Sequence, residues 1–516
     1  MLFSSWQFIF VFLPVTLAGF FLLPAKWRTA NKVWLILASL VFYIYWKVEY
    51  LPLLLFSICF NYAVAEGLLR YRDRRLGRVL LAGGVGLNLL LLGYYKYTNF
   101  ILSLLGQAAR HDFGRFDIIL PLAISFFTFT QIGYLVDVYR DQTRHYRFVD
   151  YAFFVVFFPH LIAGPIVRHW EVIPQFVDRD LKPKGTDLGL GFLLFLLGLY
   201  KKLLLADTVS GFAIAVYGTA ERGLPLTCFD AWLGTLAFAL QIYFDFSGYS
   251  DMAIGLARMF GIRFPGNFDS PYRAGSVVEF WSRWHMTLTR FLREYVYFTL
   301  GGNRCGPWRH ALNILATMLL SGLWHGAGWT FVIWGGLHGF CLIVAHRWRV
   351  FVQARGWQLR HWTYRAACIL LTFIVVLFTW VFFRAPTLGT AGRVLSSMTA
   401  GQGFTAPEAL RESSRDAANV LRAVHATIVP GAVPLKPPDY RWAVKLTAML
   451  LALVWFMPNT QQLLMAYEPT LEPVKRQPRF RLPINFASGL ICGVVFFWVI
   501  RGYYVFPQSP FLYFNF

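Results

Sequence analysis

The chain has 516 residues; 57% are hydrophobic, 18% aromatic and only 14% charged, and its mean hydropathy is +0.50. A water-soluble domain carries roughly 25% charged residues, so a soluble multidomain protein is excluded and many side chains must face lipid. The formal net charge of +22 does not point to nucleic acid: the basic residues sit in short loops between apolar runs, where they orient helices and meet anionic membrane lipid.

A spanning helix needs ~20 mainly apolar residues. Candidate runs lie near 6–24, 33–46, 51–69, 79–100, 117–138, 187–205, 226–244, 308–322, 328–346, 365–383, 441–457 and 484–505. Several are short or broken by Gly and Pro, so tilted, half-length or re-entrant helices are expected. The first run has no basic residue before it and no convincing cleavage site, and reads as a retained membrane helix rather than a secretory signal. Lys26, Arg28 and Lys32 follow the first run. Arg70, Arg72, Arg74, Arg75 and Arg78 follow the third, and Arg140, Arg144 and Arg147 the fifth. Basic loops belong on the cytoplasmic side, which places the N-terminus outside, in the periplasm.

The stretch 150–168 is apolar but holds Pro159, His160, Gly164 and Pro165. A straight helix is not expected there; a broken or re-entrant element is. The most polar stretch is 400–440, within which Arg411 to Val424 reads as an amphipathic helix at a membrane face. No internal repeat of fixed period is present. The six cysteines are scattered without a CxxC pair and read as small hydrophobes. The chain is expected to form a single transmembrane domain, 1–516, with a motif-bearing core at 241–346.

Ionisable groups inside a membrane cost roughly a few kcal/mol when unpaired, so they are candidates for function. They concentrate between 241 and 338: Gln-Ile-Tyr-Phe-Asp-Phe-Ser-Gly-Tyr-Ser-Asp at 241–251, Asn267, Phe-Trp-Ser-Arg-Trp-His at 280–285, Gly-Gly-Asn-Arg at 301–304 and Ser-Gly-Leu-Trp-His-Gly-Ala at 321–327. His325 stands out, because a buried neutral imidazole can take a proton from a hydroxyl. The small residues around it admit another backbone or a thin substrate. The competing reading is a core histidine bonded between helices. His285, read as helical, shares an apolar face with Trp281, Trp284 and Leu288, while Ser282, Arg283, Arg290 and Arg293 form an interfacial side. Asp245 and Asp251 read as members of a polar network with Arg258, Arg263 or Arg273. His160 reads as a structural contact and His338 as a packing residue.

No nucleophile elbow, phosphate-binding loop, HExxH pair or dinucleotide fingerprint occurs, and no metal set is expected. What remains is a basic imidazole, an apolar tunnel and polar orienters, which suit acyl transfer from an activated thioester or ester.

The block Tyr243-Phe-Asp-Phe-Ser-Gly-Tyr-Ser-Asp, with Phe280-Trp-Ser-Arg-Trp-His, Leu300-Gly-Gly-Asn-Arg and Gly322-Leu-Trp-His-Gly-Ala, resembles the membrane-bound O-acyltransferase (MBOAT) family. The opening Phe-Ser-Ser, Phe158-Pro-His-Leu-Ile-Ala-Gly-Pro, the Lys201-Lys pair before Ala206-Asp-Thr, and the ending from Ser509 resemble its bacterial, AlgI-like polysaccharide O-acetylation branch. The resemblance implies an all-α polytopic fold: a ring of membrane helices with re-entrant elements and a central tunnel. It implies His325 as the essential histidine and His285 as the second. Trp324, Trp281, Trp284, Asp245, Asn267 and Asn303 are candidates for positioning donor and acceptor. It further implies no permanently bound cofactor, with acetyl-CoA or another acyl thioester as cytoplasmic donor. The implied acceptor is an exopolysaccharide, alginate first and cellulose second, outside the inner membrane. A periplasmic serine-hydrolase-like partner and a polysaccharide synthase and export complex are the implied partners. D-alanyl transfer is the alternative acyl chemistry. A transporter with a polar midplane is the rival from another class, and the missing repeats weigh against it.

Overall fold

The structure, a computed structural model, describes residues 1–24, 26–177, 183–357, 361–399, 403–473, 482–483, 485–505 and 511–512. The apolar runs are helices. Five of these, among the described residues, are long and apolar enough to cross a membrane: Val48–Tyr71, Arg75–Ala109, Gly185–Glu221, Trp329–Ala354 and Trp362–Arg384. Two shorter apolar helices, Phe8–Leu22 and Ala487–Tyr503, accompany them. The fold is an all-α, multi-pass membrane fold. Its one sheet among the described residues pairs two three-residue strands, Thr405–Pro407 and Thr427–Val429, in parallel.

The chain divides into two compact units. The first comprises Met1–Leu199, Tyr249–Asn267 and Thr460–Gly493; the second comprises Tyr200–Gly248, Phe268–Asn459 and Val494–Phe516.

In the first unit the core is aromatic. Phe3 of the opening motif is buried, stacks on Phe42 at 5.5 Å and lies 4.7 Å from Tyr249. Phe158 meets Phe12 edge-on at 5.3 Å. The stretch 150–168 is broken as its prolines require. Helix Phe148–Val156 ends where Phe157 turns out of helical geometry, one turn follows at Phe158–Leu161, and Gly164 has φ +107°. The run at 117–138 is shortened: helix Ile124–Tyr139 begins only after Pro121. Lys32, read above as a loop charge, is buried and paired with Asp150 at 2.5 Å. It thus ties two helices together.

In the second unit, helices Pro307–His325 and Trp329–Ala354 form a tight hairpin. A Cβ on Gly322 would run into the Phe331 carbonyl, and one on Gly335 into the Met318 carbonyl. Gly339 would meet the Leu315 backbone at 3.2 Å. The small residues beside His325 therefore serve close backbone approach between helices.

The segment 403–440 departs from the single amphipathic helix expected. Two short helices, Glu408–Ser413 and Arg415–Ala423, are separated by Ser414 in extended geometry. Ser414 caps the second by accepting from the Ala417 N–H at 3.1 Å, and serine is a favoured residue at that position. Arg441 donates to the Ser413 carbonyl at 2.8 Å and Tyr440 to Asp230 at 2.6 Å, so the segment is anchored to protein.

Candidate functional site

The second unit gathers His285, His325 and His338, all nearly inaccessible, inside a wall of aromatic rings. Each is delivered by a different local device.

His325 is the last residue of helix Pro307–His325. Its Nδ1 lies 2.7 Å from the Ser321 carbonyl oxygen, one turn back. A carbonyl oxygen only accepts, so Nδ1 carries the proton and, in the neutral ring, Nε2 holds the lone pair. Trp324, Trp334 and Phe383 stand edge-on to the ring, with centroids at 4.8, 4.9 and 5.4 Å.

His285 does not continue a helix from Trp281. Helix Val277–Trp281, capped by Ser276 Oγ accepting from the Glu279 N–H at 3.1 Å, stops there. His285 then takes left-handed geometry (φ 41°, ψ 54°) before helix Met286–Leu292. A non-glycine residue held there costs of order 1–3 kcal/mol and persists only where its surroundings impose it, a feature common at functional sites. The face shared by Trp281, Trp284, His285 and Leu288 in a continuous helix therefore does not exist; the break re-aims the imidazole. The ring meets Phe246 edge-on at 4.6 Å and Trp324 at 6.2 Å. His285 and His325 thus both pack against one indole. His285 lies outside the spanning helices. Burial, and secondarily the neighbouring His325, hold its imidazole well below the ordinary histidine pKa, so it is neutral near pH 7.

Trp281 and Trp284 belong to the same wall. Trp284 stacks on Phe280 at 5.6 Å and sits 5.0 Å from Trp380. Trp281 donates its indole N–H to His338 at 3.2 Å. His338, read from sequence as a packing residue, is fully buried and bonded through both nitrogens. The signal available in sequence was its i, i+4 spacing from Trp334 on one helix, which puts both on one face. Trp334, Trp380 and Phe383 were not singled out by motif.

Asp245 is buried in the second unit. It pairs with Lys202 at 2.7 Å, and Lys202 also holds Asp207 at 2.8 Å. Asp245 further accepts from the Leu512 backbone N–H at 3.0 Å. None of the three arginines expected from sequence proximity is its partner: Arg258 pairs with Asp187 and Arg263 with Glu468, while Arg273 donates to backbone carbonyls. Lys202 reaches its two carboxylates from Lys201–Ala206, which winds as a π-helix, a widening frequent at functional sites. Asn267 belongs to the first unit, where it donates to Ser250 Oγ at 3.0 Å. Asn303 is exposed in a turn. His160, also in the first unit, is enclosed by Phe154, Phe157 and Phe264. Of the ending from Ser509, only Phe511 and Leu512 are described; Ser509, Pro510 and 513–516 lie outside the described residues. No group of three or more potential metal ligands occurs among the described residues.

A hydrogen-bonded imidazole with its basic nitrogen defined, beside a second neutral imidazole, can accept and return a proton. The model of the membrane-bound O-acyltransferase family matches residues 138–385. Peptidoglycan O-acetyltransferase of Helicobacter pylori is 37% identical, with 100% of this chain and 98% of that protein aligned. The probable alginate O-acetylase AlgI of Pseudomonas aeruginosa is 40% identical over 77% of this chain and 75% of that protein. Teichoic acid D-alanyltransferase of Bacillus subtilis is 26% identical over 64% of this chain and 84% of that protein.

Proposed function

The chain belongs to the membrane-bound O-acyltransferase family and is a membrane-bound acyltransferase, and we propose that it moves an acetyl group from a cytoplasmic thioester to a hydroxyl of a cell-envelope polysaccharide. Acetyl is favoured over D-alanyl because the relatives named for O-acetylation are the more similar ones. Alignment over the whole chain makes peptidoglycan the first polymer to assay, with an alginate-type exopolysaccharide second; cellulose follows as the third. The donor is acetyl-CoA or another acyl thioester. The protein sits in the inner membrane with its N-terminus on the periplasmic side, a reading supported by the alternation of basic loops. Thioester and polymer are then on opposite sides, so the acyl group reaches sugar directly or by way of a Ser hydroxyl on a periplasmic partner of serine-hydrolase-like fold. A polysaccharide synthase and export complex supplies the polymer.

The observation that carries the mechanism is the hydrogen bond from His325 Nδ1–H to the Ser321 carbonyl. It fixes the tautomer that keeps Nε2 basic. As the acceptor oxygen attacks the thioester carbonyl carbon, its proton passes to His325 Nε2. When the C–S bond breaks, that proton goes to the departing sulfur. His285, which also packs against Trp324, orients the donor or stabilises the developing oxyanion. Asp245 and the tryptophans hold the walls.

The test is His325→Ala in purified, lipid-reconstituted protein, with labelled acetyl-CoA, polymer and a periplasmic extract. Acetylation is expected to fall by ~10²–10⁴-fold while the thermal transition stays near wild type. Near-normal transfer removes His325 from the mechanism, and loss of folded protein makes it a structural residue. Label retained on His325 when acceptor is omitted favours an acyl-imidazole over general-base catalysis.

A further inference from the structure

We infer that His338 is a positioning residue of the transfer reaction: a tautomer-locked strut that sets His285 and His325 in register without exchanging a proton. The inference rests on the acyl-transfer reading above.

Two independent hydrogen bonds assign the same tautomer. The indole nitrogen of Trp281 only donates, and it reaches His338 Nδ1 at 3.2 Å, so Nδ1 is an acceptor without a proton. Thr379 Oγ1 sends its own proton to the Val376 carbonyl at 2.8 Å. Facing His338 Nε2 at 3.0 Å, that oxygen is therefore the acceptor and Nε2–H the donor. His338 is the Nε2–H tautomer, opposite to His325, and both its nitrogens are committed. Protonating Nδ1 would set a donor against the Trp281 donor. An imidazole held this way does not cycle a proton.

What it holds is specific. Trp281 ends helix Val277–Trp281, and His285 is placed by the backbone break that follows. On its other flank His338 meets Trp334 edge-on at 4.9 Å, and Trp334 meets His325 at 4.9 Å. Phe280 lies parallel to the His338 ring, 6.1 Å away. One side chain thus bridges helix Trp329–Ala354, helix Trp362–Arg384 and the segment that carries His285. A displacement of a reacting group by about 1 Å costs ~10²-fold in rate, so the strut acts on turnover and not on donor affinity.

The experiment compares His338→Leu with His338→Gln, and adds Thr379→Val and Trp281→Phe, in the reconstituted full chain. A glutamine amide offers one acceptor and one donor at nearly the spacing of the two ring nitrogens, with no basicity. His338→Leu is expected to lower kcat ~10²-fold with little change in KM for acetyl-CoA. His338→Gln is expected to restore most of kcat and keep the wild-type pH profile; Thr379→Val and Trp281→Phe fall between. Glutamine as inactive as leucine, or a pH profile that loses a limb, overturns the inference in favour of acid–base work. Full activity in His338→Leu overturns it as well. If His338→Leu does not fold, the glutamine variant and the two partner variants decide. ¹⁵N spectra of histidine-labelled protein, assigned with His338→Gln, read the tautomer without any turnover. Wild-type protein inert toward thioester and polymer would sink the acyl-transfer reading; an Nδ1–H signal at His338 would sink the strut alone.

Discussion

Each compact unit buries a polar cluster, and the two are built on different principles. In the first unit Asn61 and Asn88 exchange amide hydrogen bonds at 3.2 and 2.7 Å, and each also donates to a helix carbonyl. Gln131 donates to Ser57 at 2.9 Å and accepts from Tyr151 at 3.0 Å. The side-chain amides of these two asparagines and Gln131 are bonded to protein through both nitrogen and oxygen, and the groups are neutral amides and hydroxyls. Such a network stabilises helix contacts and has no chemistry to offer. The cluster in the second unit is made of imidazoles walled by tryptophan and phenylalanine rings. His338 follows the saturated pattern of the first unit, with both ring nitrogens bonded. His325 uses its own helix to fix one nitrogen and so defines the basicity of the other. Under the proposed mechanism, the contrast separates polar residues that hold a membrane protein together from those that react.

The sharpest way to break this contrast is to find a rate effect in the first cluster or a stability effect in the second. His325→Ala is expected to reduce acetyl transfer by ~10²–10⁴-fold, the usual share of a positioned base, with an unchanged melting temperature. The variants of His338 described above come next, at ~10²-fold on kcat for the leucine.

Lys202 marks the border between the two behaviours. It pairs with two buried carboxylates, Asp207 and Asp245. Removing one member of a buried ion pair leaves uncompensated charge and costs about 3–5 kcal/mol. Lys202→Met is therefore expected to lower the yield and thermal stability of the protein, with activity per folded molecule retained. Adding Asp245→Asn should restore part of the stability. A folded Lys202→Met protein with no turnover would move the Lys202–Asp245 pair from scaffold to chemistry.

Asn61→Leu should act in the same direction and more weakly. It strands the Asn88 amide at about 1–3 kcal/mol, and measured intramembrane hydrogen bonds average nearer ~0.6 kcal/mol. The double variant with Asn88→Leu should be no worse than the single one, and turnover of folded protein should not change. A selective loss of turnover would erase the distinction between the clusters.

Much of the fold was readable because membrane helices announce themselves by apolar length, and because Pro159 and Gly164 mark the interruption at 150–168; the run read as 117–138 passed over Pro121, and its helix starts only at Ile124. The site was readable in part. His285 and His325 sit in motifs rich enough to identify, and the structure places both against Trp324. The helix break before His285 left no local trace: Ser282, Arg283 and Trp284 include neither glycine nor proline. Tertiary contacts impose it, among them the Asp269 N–H bonded to the Arg283 carbonyl at 3.0 Å. The partner of Asp245 was misassigned because sequence proximity is a poor guide among packed helices. Arginines within a few turns pointed elsewhere, while a lysine from another helix arrived. His338 was passed over because its partners, Trp281 and Thr379, come from two other helices. Lys32 shows the same limit from the other side, as a charge that looked like a topology signal and is an interior ion pair.

The smallest effect is expected at Asn303, and it tests whether a motif residue is functional merely because it belongs to a motif. In Gly301-Gly302-Asn303-Arg304 the structural requirement falls on the glycines. Gly301 and Gly302 have φ +104° and +58°, a Cβ on Gly301 would approach Cys305 Sγ to 2.7 Å, and the Gly302 carbonyl accepts from buried Asn313 at 3.0 Å. Asn303 itself is exposed, and exposed substitutions away from such features stay within about ±0.5 kcal/mol. Asn303→Ala should therefore leave both melting temperature and kcat/KM for acetyl-CoA at wild-type levels. The informative exception is a variant that transfers normally to a small soluble acceptor but poorly when the periplasmic extract must relay the acyl group. That result would assign the exposed turn to a partner-binding face and return Asn303 to the functional residues, through docking rather than chemistry.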